Sequence, residues 1–227
     1  MYNATHCDSA GGAALRRRPL MLILFLVVVA VLVLVPAVEA QAKSWRIDSM
    51  DVVLDVQKNS SVWVEETVTF TFEGSYSFVG RVIPTDNLDS LTDIEVLQDG
   101  RPLPQGTTAG TWQTFTEGKS RIIQVNFALT DASATWVFRY RASGSVFFFD
   151  EGDELRWYVF DADTPVPINR VTATVKLPEA VPTGQMTMAL NTGPSVERNY
   201  SAPAPGTAVF EGGPVPPYTN YWVVVGF

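Results

Sequence analysis

The feature that most constrains this fold is a strict alternation of apolar and polar side chains between residues 62 and 72. The apolar residues that share one parity are Val62, Val64, Val68, Phe70 and Phe72. Threonine occupies the opposite parity at positions 67, 69 and 71. Because successive side chains of a β-strand point to opposite faces, this period of two predicts a long strand with one face in a hydrophobic core.

Two charged residues interrupt the apolar parity. Glu66 takes a core-facing position in the long strand, and Arg81 takes one in a second predicted strand, residues 78–83. A buried carboxylate needs a partner, and an arginine offers two parallel hydrogen bonds. We therefore predict a structural ion pair between Glu66 and Arg81. The alternatives are that the pair forms the charged floor of a pocket, or that both side chains reach solvent at a sheet end.

The rest of the chain after Trp45 reads as short alternating segments separated by turns, without an amphipathic helix. Residues 73–75 predict a turn that ends the long strand, and Asp99-Gly100 predicts a tight hairpin. Residues 104–120 are polar and contain glycine, which predicts a long surface loop. Strands at intervals of about 8–12 residues predict an all-β fold, more specifically an immunoglobulin-like antiparallel β-sandwich over residues 41–227.

Charge and composition narrow the function. The chain has 16 basic and 24 acidic residues, and three of the basic and two of the acidic ones precede Gln41. The remainder is strongly acidic, so nucleic acid is an unfavourable partner. The single cysteine and the single histidine, Cys7 and His6, also precede Gln41. No disulfide, Cys/His zinc site or Ser-His-Asp triad can form after that point, so we predict a protein without enzymatic activity or cofactor.

Residues 1–40 have the order of a secretory signal peptide. A basic cluster at residues 16–18 precedes an unbroken apolar run at residues 20–35, and small residues precede a predicted cleavage site after Ala40. An uncleaved anchor is the alternative, although the apolar run rises only about 24 Å as a helix against a hydrocarbon core of about 30 Å. Under either alternative, residues 41–227 are exported and extracytoplasmic.

An ordered set of short motifs points to a family. The motifs are WRI at 45–47, VxVxE at 62–66, FxF at 70–72, GRVIP at 80–84, YRA at 140–142, DELRW at 153–157, PINRV at 167–171 and LP at 177–178. This set resembles the extracytoplasmic domain of the YciQ-like predicted bacterial membrane proteins, family 2207 of the domains of unknown function. The resemblance implies a signal peptide, an exported domain, then transmembrane helices and a low-complexity cytoplasmic tail. It implies no activity, because the family has none established.

Membrane association would then come from the N-terminal segment, if it is uncleaved, or from helices downstream of the printed chain. The resemblance and the export signal together place the protein in the cell envelope. We expect residues 41–227 to act there as a binding or structural module.

Carboxylates near the second half of the chain raise two alternatives. Asp150 and Asp153 lie in an acidic turn, and Asp161 and Asp163 follow the next predicted strand. Together they could supply oxygen ligands for calcium in an adhesion module, although their spacing departs from the EF-hand pattern and a solvated hairpin tip explains the same turn. They could also be the acid and base of an envelope carbohydrate hydrolase, whose carboxyl groups lie about 5–9.5 Å apart.

Two tryptophans are candidates for surface binding. Trp63 lies on the polar parity of the long strand, and Trp112 lies in the predicted long loop. Exposed tryptophans can stack on sugar rings or anchor a protein partner, so an envelope polysaccharide or an envelope protein is the expected partner. The alternative for Trp63 is that a neighbouring sheet or loop covers it.

Overall fold

The computed structural model describes residues 42–227; the predicted signal peptide, its helix and the cleavage site after Ala40 lie outside this range. The described part contains thirteen strands: β1 Ser44–Val56, β2 Val62–Pro84, β3 Ser90–Gln98, β4 Arg101–Pro102, β5 Thr111–Glu117, β6 Ser120–Ser143, β7 Val146–Phe149, β8 Gly152–Phe160, β9 Val171–Lys176, β10 Thr187–Thr192, β11 Asn199–Ala204, β12 Thr207–Gly212 and β13 Tyr221–Gly226. One short 3₁₀ turn, Thr183–Gln185, precedes β10. Within the described range, no helix has the length and apolar character needed to cross a bilayer.

The strands form two sheets, and the prediction of an all-β fold is confirmed. The larger sheet has nine strands in the order β11-β12-β9-β1-β2-β6-β3-β4, with β5 paired to β6. The smaller has the order β10-β13-β8-β7. Strands β1 and β9 run parallel, from Met50 opposite Val171 to Asp55 opposite Lys176, so the expectation of a purely antiparallel fold is wrong for this pair.

The long strand continues through the predicted turn at residues 73–75. Strands β2 and β6 stay paired on both sides of this point, with register shifts between Phe72 and Ser75. Gly74 has a φ of +87°, and its N–H donates to Asp131 Oδ1 of β6 at 2.6 Å. The turn prediction is therefore wrong: the glycine forms a bulge, because its left-handed backbone is stabilised across the strand pair rather than by a reversal of the chain.

This bulge and a second register shift, between Tyr76 and Phe78, bend the β2–β6 pair back upon itself. Side chains of Glu66 and Arg81 are in direct contact although 15 residues separate them on one strand. A straight strand of that length would span about 50 Å. The first half of β2 (residues 62–72) and its second half (residues 78–84) must therefore face each other across the core.

Aromatic side chains fill the inside of this bend. The ring centroid of Trp136 lies 5.0 Å from that of Phe127 and 5.7 Å from that of Phe70. Phe127 lies 5.1 Å from Phe72, so the rings connect the two halves of the β2–β6 pair. They belong to one hydrophobic core to which both sheets contribute. Because this core lies entirely within the compact unit Ala42–Phe227, we expect that unit to fold on its own.

Local sequence predicted one of two connections between strands correctly and the other wrongly. Asp99 and Gly100 join β3 to β4 in the tight hairpin predicted for them. Their φ values of +52° and +73° are typical of a type I′ turn. The predicted long loop of residues 104–120 is wrong, because Thr111–Glu117 forms β5 along β6. Strand β5 is recognisable only through its pairing with β6, since most of its side chains are polar.

Candidate functional site

The structure brings Glu66 and Arg81 together in the core. Glu66 is fully buried and Arg81 is 8% exposed. Arg81 Nε donates to Glu66 Oε2 at 2.5 Å, and Arg81 Nη2 donates to Glu66 Oε1 at 2.7 Å. This is the two-fold geometry that makes an arginine–carboxylate pair strong and directional.

Three further partners complete this buried cluster. Tyr140 Oη donates to Glu66 Oε1 at 2.7 Å, and Arg81 Nη2 also donates to the Val159 carbonyl oxygen at 2.6 Å. Arg81 Nη1 donates to the carbonyl oxygen of Val82. The cluster joins both halves of β2 to β6 and to β8. The Glu66 carboxylate is buried and accepts three hydrogen bonds, which is the arrangement expected of the predicted structural ion pair.

The cluster favours a charged Arg81 and a neutral Tyr140. Burial lowers the pKa of Arg81, but the Glu66 carboxylate raises it by charge and hydrogen bonding and prevails, so the net shift is upward. Burial raises the pKa of Tyr140 well above its ordinary value, the charge of Glu66 adds to this, and Arg81 opposes it. Tyr140 is therefore a hydrogen-bond donor at neutral pH.

This shift predicts a loss of stability in alkali. Because the pKa of Tyr140 is higher in the folded than in the unfolded protein, its contribution is complete below the unfolded value of about 10 and is lost as the pH rises towards the folded value. We expect Tyr140→Phe to flatten the decline of the unfolding free energy above about pH 10, measured by urea denaturation. Tyr218→Phe, at a residue 68% exposed, should leave the decline unchanged. Equal slopes for wild type and Tyr140→Phe would contradict the assignment.

The four carboxylates proposed for calcium do not come together. Asp150 and Asp153 lie at the β7–β8 hairpin, whereas Asp161 and Asp163 follow the other end of β8, Gly152–Phe160. A strand separates the two pairs by about 26 Å. Residues 42–227 contain no group of three or more acidic, cysteine or histidine side chains placed to hold a metal. The calcium hypothesis is therefore wrong as stated, because an extended strand keeps its two ends apart.

The prediction of an exposed Trp112 is also wrong. Trp112 is 4% exposed and belongs to the core, and its Nε1–H donates to the Leu103 carbonyl oxygen at 3.1 Å. Pairing of β5 with β6 places Trp112 opposite Val125 and turns its ring inward. A polar, glycine-containing segment gave no local sign of this pairing.

Trp63 is exposed on the outward face of the larger sheet. Its side chain is 39% exposed. Strand pairing places Lys176, Asp55, Trp63 and Arg141 in one row across four neighbouring strands. The Arg141 guanidinium lies 4.7 Å from the centroid of the Trp63 ring, a cation–π contact that fixes the ring.

A groove of about 690 Å³ runs beside Trp63. Its wall combines apolar side chains with charges of both signs, including Asp55, Glu65, Ile94, Glu95, Arg139 and Lys176. Arg139 Nε contacts Glu65 at 2.7 Å, and Arg139 Nη1 lies 3.7 Å from Glu95. The hydrogen bond from Glu65 raises the pKa of Arg139. We call the exposed ring and these neighbours the Trp63 groove.

Sequence reasoning identified Trp63 but not the residues around it. The polar parity of β2 indicated that Trp63 faces outward. Arg139 and Lys176 come from strands distant in sequence, and only the register of the sheet brings them to the groove.

Comparison with protein families gives one match over nearly the whole described range. The family described as predicted membrane protein (DUF2207), N-terminal domain, matches residues 46–227. This confirms the family predicted from the ordered motifs. No curated protein sequence matches the chain significantly.

Solved structures share parts of the architecture at low sequence identity. A provisionally assigned nutrient binding protein from Legionella pneumophila aligns with a TM-score of 0.51 and 11% identity over 80% of this chain. A provisionally assigned protease from Parabacteroides distasonis gives 0.45 and 10% over 81%, and an M1 zinc metallopeptidase from Deinococcus radiodurans gives 0.43 and 11% over 80%. The matched region is 66% of the Legionella protein, and 40% and 42% of the other two.

Proposed function

The chain belongs to this family of predicted membrane proteins, and we propose that its described part is an extracytoplasmic binding module of a membrane-associated envelope protein. In this proposal, the signal peptide directs residues 41–227 out of the cytoplasm, and the module binds without catalysing a reaction. The proposed architecture is an immunoglobulin-like β-sandwich in which the bent β2–β6 pair supplies strands to both layers. The fold likeness to the Legionella protein is compatible with a binding module but identifies no ligand.

The Trp63 groove is the observation that supports this function. An exposed tryptophan on a rigid sheet offers a large contact area at little entropic cost. Its ring is held by Arg141, and the paired charges beside it offer both hydrogen-bond donors and acceptors. Such a surface is suited to an envelope polysaccharide, through stacking and hydroxyl hydrogen bonds, or to a protein, through a central aromatic anchor.

The test is retention of purified residues 42–227 on fractionated envelope material: sacculi, soluble polysaccharide and membrane proteins. We expect retention on one fraction, with Trp63→Ala weakening it by about tenfold or more, as is typical of a central aromatic anchor. Phe78→Ala is the matched control, because Phe78 is also an aromatic residue of β2 and is 59% exposed away from the groove. Absence of retention, or equal loss in both variants, would contradict the proposal.

A further inference from the structure

Strand β10 leaves one edge of the smaller sheet without a partner strand. It is an end strand of that sheet and pairs with β13 along all six of its residues, Thr187–Thr192, without a register shift. Within residues 42–227, no strand pairs with its other side. The N–H and C=O groups of successive residues in a strand point alternately to its two sides. About half of these groups in β10 therefore point away from the sheet.

The other three end strands have features that protect a sheet edge from pairing with another chain. Strand β4 has only two residues, one of them Pro102, and β7 has four. Strand β11 contains Pro203 and a register irregularity between Ser201 and Ala204. Strand β10 has six residues and contains no proline, no charged side chain and no bulge. An edge of this kind is a template for a further strand.

The β10 edge is uncharged, although the exported part of the chain is strongly acidic. Residues 180–196 contain no charged side chain, and neither does β13, the neighbour of β10. Glu197 and Arg198, of opposite sign, follow this segment, and Arg198 Nη2 donates to the Thr192 carbonyl oxygen at 2.8 Å at the end of β10. Two copies of an acidic domain repel each other, and this repulsion is smallest where both surfaces are uncharged. The edge is therefore suited to a second copy of the same domain.

We propose that β10 pairs with β10 of a second copy of this chain, antiparallel and about a two-fold axis. Centred on Ala189, this pairing places Met188 opposite Leu190 on the inner face, where Leu190 is buried and Met188 packs partly buried against the core. On the outer face it places Thr187 opposite Asn191, and Ala189 opposite Ala189 of the partner subunit. Apolar residues thus meet apolar residues, and uncharged polar residues meet each other. The interface lies on the smaller sheet, so it is independent of the Trp63 groove and of the binding function proposed for it.

The first test is sedimentation velocity of residues 42–227 over concentrations from about 10 μM to about 1 mM. We expect a weak dimer, with a Kd on the order of 100 μM, because one short strand pair joins the two copies. Ala189→Lys should weaken the dimer by about fivefold or more, since it places two like charges directly opposite each other. Ala189 is exposed, so the melting temperature should be kept. Ser201→Lys is the matched control, because it adds the same charge at an exposed residue of β11, and it should leave the Kd unchanged.

The second test is disulfide formation between single-cysteine variants. Residues 42–227 contain no cysteine, so Ala189→Cys introduces a single thiol. In the proposed pairing the two Cα atoms at position 189 lie about 4.5–5.5 Å apart, within the range of a disulfide. Under mild oxidation, Ala189→Cys should form covalent dimers about tenfold or more faster than Ser201→Cys, because pairing raises the effective concentration of the thiols.

Three results would overturn the proposal. One is a domain that stays monomeric over the whole concentration range. Another is a dimer that Ala189→Lys and Ser201→Lys weaken equally or not at all, which would place the contact elsewhere on the surface. The third is covalent dimer formation at the same rate in both cysteine variants.

Discussion

Replacing Glu66 by glutamine is expected to lower the free energy of unfolding by about 3–5 kcal/mol. The substitution removes the charge that compensates Arg81 while Arg81 stays buried. It also replaces one of the two oxygens that accept from Arg81 with an amide that cannot accept. Urea denaturation at neutral pH measures the loss.

The neighbouring residue provides a matched control. Glu65 also pairs with an arginine across strands, but its carboxylate and Arg139 are both 45% exposed. Glu65→Gln should therefore cost no more than about 1 kcal/mol. Removing both buried charges, in Glu66→Leu with Arg81→Met, should cost less than the sum of the two single changes, because neither charge is left unpaired. If Glu66→Gln unfolded like the wild type, the buried ion pair would be refuted.

Truncation of Trp136 to alanine is expected to cost about 3–5 kcal/mol. Trp136 is fully buried and contacts the rings of Phe70, Phe72 and Phe127 inside the bend of β2 and β6. Its removal leaves a cavity where the two halves of the bent pair meet. Thermal and urea unfolding both measure the effect.

A surface aromatic on the same strand pair gives the comparison. Phe78→Ala should change the free energy of unfolding by no more than about 0.5 kcal/mol, because the Phe78 side chain is 59% exposed. A similar cost for Trp136→Ala and Phe78→Ala would mean that the rings inside the bend do not hold its two halves together.

The parts of the fold that could be predicted are those set by residues close together in the sequence. The alternation in residues 62–72 and the Asp99-Gly100 dipeptide are local signals, and both gave the observed strand and hairpin. The prediction of a turn at Gly74 was wrong because glycine is common both in turns that reverse the chain and in β-bulges. The choice between them depends on Asp131, which is 57 residues away in sequence. Strand β5 was missed because only pairing with β6 defines it.

The residues of the candidate sites also fall into those that local sequence could place and those that it could not. Parity alone put Trp63 outside and Glu66 inside, since side-chain direction in a strand is set by position. Parity could not show that Trp112 is covered or that Arg139 and Lys176 reach the Trp63 groove. Those facts depend on which strands become neighbours.

By itself, the sequence determined that this chain forms strands, which face of β2 is apolar, and that a buried charge at Glu66 requires a partner. The tertiary structure alone decided that β2 bends at Gly74 and that Arg81 on the same strand becomes that partner. It also decided that β8 of the smaller sheet lies beside the end of β2, where Ile83 and Trp157 line one cavity. The physical reason is that the direction of a side chain in a strand is fixed by its position along the strand. Strand bends, strand register and the packing of one sheet on another are fixed by contacts between residues far apart in the chain.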